Sequence, residues 1–82
     1  MKDPELEVYA AAVERHLGRR RGRDHVLAPP EFELARQWFA AGVPLSTVLA
    51  GIDAAFAAGG TPATLTFCRR HVDALTNPSP RG

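Results

Sequence analysis

Two groupings of side chains in this sequence have the types and spacing to do chemistry. Cys68 and His71 stand three residues apart in LTFCRRHV. That spacing puts both on one face of a helix, where a thiolate–imidazolium pair or two metal ligands could form. A metal centre needs further ligands, and neither His16 nor His25 stands at a recognised ligand spacing from another His, Cys or carboxylate. A free cysteine usually packs as a small apolar residue, so the pair reads as a buried Cys68 beside a half-exposed His71. The expectation is no catalytic residue, no metal and no cofactor.

The second grouping is GRRRGRD, Gly18 to Asp24, where Arg19, Arg20, Arg21 and Arg23 follow one helical turn after Arg15. The formal net charge is only +1, so attraction for an anion has to come from this cluster and not from the field of the whole molecule. Each guanidinium can hold phosphate or carboxylate oxygens through paired N–H groups. No aromatic residue alternates with the arginines to stack a base, and Glu14 and Asp24 cut into the local charge. Two readings stand: Arg15, Arg19, Arg20, Arg21 and Arg23 bind DNA or RNA phosphates or an acidic protein partner, or the run is a solvated helix end that satisfies its last carbonyls. The carboxylates add little. Asp53 and Asp73 stand alone in the sequence, while Glu5/Glu7 and Glu31/Glu33 read as helix-start charges. No three groups define a reaction pocket, and the chain reads as non-enzymatic.

The elements that would position these residues are helical. Asp3-Pro4, Pro29-Pro30 and Thr61-Pro62 each read as a helix entry, because proline at the first helical position gives up an N–H that has no partner there. Leu6, Tyr9, Ala10, Val13 and Leu17 recur at helical spacing, with Val8 off the stripe and Gly18 as a stop signal. A second helix carries Phe32, Ala35, Trp38 and Phe39 inward, with Glu31, Glu33, Arg36 and Gln37 outward, and ends at Gly42. The third has the strongest period, Leu45, Val48, Leu49, Ile52 and Phe56. Gly51 inside it marks a place where another helix approaches. Gly59-Gly60 ends it. Leu65, Cys68, Val72 and Leu75 define a fourth face, off which Phe67 falls, and Asn77 to Gly82 read as a flexible tail. These spacings predict an all-α, compact bundle of about four short helices in a single domain, residues 1–76, followed by the tail, 77–82.

The stretch Trp38 to Phe56, WFAAGVPLSTVLAGIDAAF, followed after a glycine break by LTFCRRHV, resembles a pattern in short bacterial helical proteins. It is also distantly similar to the C-terminal helical module of the DnaD-like primosomal proteins. That resemblance covers about half the chain and rests on helix order, apolar spacing and a tryptophan before the turn. It implies a DNA-associated or replication role; Asn77-Pro78-Ser79-Pro80 stands where that family carries an aromatic-containing motif. A glycine turn before a Ser- and Thr-bearing helix also invites comparison with a helix-turn-helix, but this third helix has few side chains that read bases.

No apolar run is long enough to cross a membrane and MKDPELE lacks the order of a signal peptide, so the expected location is cytoplasmic. A chain of 82 residues buries only about 60% of the surface its unfolded form exposes, which leaves room for a partner to add burial. The leading expectation is a small interaction module that associates with itself or with a protein partner through a helical face. Val8, Phe67 and the alanines at 54, 55, 57 and 58 are the surfaces offered, and nucleic-acid binding through the arginines is the rival.

Overall fold

The computed structural model describes residues 3–59 and 64–76. It is all-α: α1 spans Pro4–Arg21, α2 Pro29–Ala40 and α3 Leu45–Ala57; a 3₁₀ turn, Leu65–Cys68, leads directly into α4, Arg69–Thr76. Among the described residues there is no strand, and no helix is long and apolar enough to cross a membrane. The expected entry at Thr61-Pro62, Gly60 and the tail at 77–82 lie outside the described residues.

The local signals explain where the helices begin and end. Asp3 caps α1, its Oδ1 accepting from the backbone N–H of Glu5 at 3.0 Å and of Leu6 at 3.3 Å. Gly18 does not stop α1. The helix runs through the arginines to Gly22, which takes the left-handed conformation (φ 77°). There the Arg23 N–H reaches the Gly18 carbonyl at 3.0 Å and the Gly22 N–H reaches that of Arg19 at 3.3 Å, the paired closure of a Schellman end. Gly18 is instead a place of close approach, since a Cβ there would stand 2.9 Å from the Arg23 carbonyl oxygen. The returning chain at 23–25 lies over the helix at that point.

The core is built from Tyr9, Val13, Leu17, Leu34, Ala35, Trp38, Val48, Ile52, Ala55, Leu65, Cys68 and Val72. α1 packs on both α2 and α3, the 3₁₀ turn packs on α2 and α3, and α4 lies along α3. The approach expected at Gly51 is made by α4: a Cβ on Gly51 would lie 2.4 Å from Val72 Cγ2 and 2.7 Å from Val72 Cα.

Four expectations need correction. Phe32 is exposed and Glu31 is buried, so the inward arc of α2 is Glu31, Leu34, Ala35 and Trp38, rotated by about one residue. Two carboxylate-bound backbone groups, described below, hold Glu31 inward. Leu75 is exposed, because α4 is buried at Val72 and none of the described elements covers its last turn. Ala55, read as a surface alanine, is buried; it lies one turn beyond Gly51, on the side that α4 covers. Val8 and Phe67 are exposed, at 68% and 66%, as their off-stripe positions predict.

Candidate functional site: an arginine-lined concavity on helix 1

The five arginines part into two sets. Arg20, though exposed, and the half-buried Arg21 are engaged in contacts within the fold. Arg20 Nε lies 3.3 Å from Asp53 Oδ1, and its guanidinium sits over the Phe56 ring at 5.4 Å from the centroid. His16 Nε2 meets the same Asp53 oxygen at 2.8 Å. Asp53, alone in the sequence, is thus an acceptor that joins α1 to α3. Arg21 donates to His25 Nδ1 at 2.7 Å, and His25 Nε2 in turn donates to Glu31 Oε2 at 2.8 Å.

Glu31 is the centre of that second network. Its Oε1 accepts from the Ala28 N–H at 2.7 Å, half of a capping box, since Ala28 has no side-chain oxygen to return the bond. Its Oε2 accepts from the Leu65 N–H at 2.7 Å, across to the start of the 3₁₀ turn. Burial pushes this carboxyl up, but the two backbone donors and His25 outweigh it and hold Glu31 below its ordinary value. The reading of Glu31 as a solvated helix-start charge is therefore corrected. It ties the loop at 25–28, α2 and the 3₁₀ turn together.

Arg15, Arg19 and Arg23 remain. All three are exposed, and among the described residues no carboxylate lies at ion-pair distance from them. With Ala11, Glu14, Gly22, Asp24 and Val26 they line an open concavity of about 640 Å³ between the outer face of α1 and the returning loop. Glu14 is partly spent, its Oε2 accepting from the Leu27 N–H at 2.8 Å. Val26, 79% exposed, and Val8 give the edges of this surface an apolar character.

Arg69 and Arg70 do not join the cluster; they line a separate hollow with Thr66, Phe67, His71 and Asp73. Arg69 Nε pairs with Asp73 Oδ2 at 3.4 Å, and Asp73 Oδ1 accepts from Trp38 Nε1 at 3.2 Å.

The Cys68 thiol is buried, and desolvation, followed by the nearby Glu31 charge, pushes it up to about 11. It is therefore held as the unreactive thiol at neutral pH. Among the described residues no group of three or more His, Cys, Asp or Glu could hold a metal ion. Nor does α3 suit a recognition helix: it carries no Lys or Arg, and Asp53 puts a negative charge in its middle.

No family model, curated protein or solved structure matches the chain.

Proposed function

We propose that the protein is a non-enzymatic interaction module that docks an acidic segment of a protein partner on the outer face of α1. The observation that carries this is the division of the arginine run: Arg20 and Arg21 are engaged by Asp53 and His25, while Arg15, Arg19 and Arg23 line one concavity with no ion-pair partner among the described residues. Three guanidiniums spaced along one face favour carboxylates or phosphates alike. The surroundings favour protein. The aromatic ring that the run contacts, Phe56, lies beneath Arg20 and is not presented for stacking a base. The exposed Val8 and Val26 suit apolar contacts that side chains of a peptide can make and a phosphate backbone cannot.

The test is fluorescence anisotropy with a labelled oligo-glutamate peptide and with single- and double-stranded oligonucleotides, at low and at physiological salt. Peptide binding that is lost in Arg15→Ala/Arg19→Ala/Arg23→Ala, and kept in the control Arg70→Ala, is the expected result. If duplex DNA is instead the tighter ligand, with log K falling by about 2.7 per decade of salt for three phosphate contacts, the nucleic-acid reading replaces this one.

A further inference from the structure

We infer that the group this concavity selects is a phosphomonoester, so that the acidic segment docked on α1 is one that carries a phosphorylated side chain. The inference rests on the proposed reading of the arginine face and names the chemistry of its ligand. Arg15 and Arg19 stand one turn apart on α1, about 6 Å along its axis. Arg23 comes from the other wall, the returning loop, and its N–H is bonded to the Gly18 carbonyl at 3.0 Å. That bond sets Arg23 beside the turn that runs from Arg15 to Arg19. Gly18 and Gly22 line the same space and carry no side chain to hold an anion away from the three guanidiniums.

A carboxylate brings one charge and two oxygens, enough for one guanidinium fork. A phosphomonoester brings a charge of about −1.5 to −2 at neutral pH and three acceptor oxygens on a single side chain, which suits three forks. The walls point the same way. Glu14 and Asp24 also line the concavity, so a run of carboxylates has to pass an acid, whereas a charge concentrated in one group can stay among the arginines. Arg15, Arg19 and Arg23 have no ion-pair partner among the described residues, so none has to leave a carboxylate before it binds. The exposed Val26, which lines the same concavity, offers a contact to an apolar neighbour of the phosphorylated residue.

Fluorescence anisotropy tests this with labelled Gly/Ser/Val peptides that differ only at the central residue, which is phosphoserine, serine or glutamate, and with oligo-glutamate alongside. The phosphoserine peptide should bind on the order of tenfold or more tighter than the glutamate form, and the serine form should not bind. Arg15→Lys/Arg19→Lys/Arg23→Lys keeps the charge and, by circular dichroism, the helicity; without the forks it should lose most of that margin. Phosphoserine bound no tighter than glutamate overturns the inference, and leaves the docking reading standing if oligo-glutamate still binds. No binding of any peptide removes both. A margin kept by the triple lysine variant, or lost in Arg70→Ala, moves the phosphate to another surface and overturns the assignment. Displacement by inorganic phosphate at a concentration equal to the peptide's own dissociation constant means that the ion alone is read, and overturns the phosphorylated segment as its carrier.

Discussion

Glu31 shows how much one side chain can organise in a small domain. It is 3% exposed and accepts three hydrogen bonds, from Ala28, His25 and Leu65. Removing it strands the buried Leu65 N–H, the part-buried Ala28 N–H and a histidine, so Glu31→Ala should lose about 3–5 kcal/mol. The check is the urea midpoint against wild type. The pH dependence has a definite sign. Because the folded carboxyl is held below the ordinary 4.5, the unfolded chain binds its proton first as pH falls. Stability from this group is therefore complete above about pH 4.5 and is lost as pH drops through the folded value. Little of this is legible in the sequence. A glutamate in the first turn of a helix looks the same whether it faces water or a backbone N–H 34 residues away. The split of the arginines is hidden for the same reason, since Arg20 is distinguished from Arg19 by Asp53 and Phe56 on another helix.

At the scale of elements, the crossing of α3 and α4 is set by Gly51. Alanine is the better helix former by about 1 kcal/mol, so on propensity alone Gly51→Ala would stabilise. The structure reverses that sign. The new methyl would meet backbone atoms of Val72, its Cα at 2.7 Å and its N at 2.9 Å, and backbone does not swing aside as a side-chain end does. Net destabilisation of about 1–3 kcal/mol is expected, measured by thermal or urea unfolding with helicity retained. This crossing, the Asp3-Pro4 and Pro29-Pro30 entries and the Gly42 end are readable in the chain, because glycine and proline act through the local backbone, whereas the end of α1 falls at Gly22 and not at Gly18, the first glycine after the apolar stripe. The rotation of α2 is not, since placing Phe32 outward and Leu34 inward depends on what Glu31 must reach.

At the scale of the whole molecule, two buried groups set the alkaline limit as Glu31 sets the acid one. Burial pushes the Tyr9 hydroxyl, which donates to the Val43 carbonyl at 2.8 Å, up to about 12 from 10.0. Cys68 is pushed up to about 11 from 9.0, by burial and then by Glu31. Both groups favour the folded state while protonated, so their contribution is complete below about pH 9 and falls as pH rises through 11 and 12. Urea midpoints should thus form a plateau between about pH 5 and 9, with the alkaline limb weakened in Tyr9→Phe.

The bond from Leu65 to Glu31 bears on how the molecule comes apart. The start of α2 has no oxygen on Ala28 to close its own cap, and its one carboxylate is shared with a turn near the far end of the chain. The Leu65 N–H loses its acceptor once the turn leaves α2, so the 3₁₀ turn and the start of α2 open as a single cooperative unit. Hydrogen exchange at the Ala28 and Leu65 amides should then proceed at matched protection, in place of a fraying gradient from α4 inward.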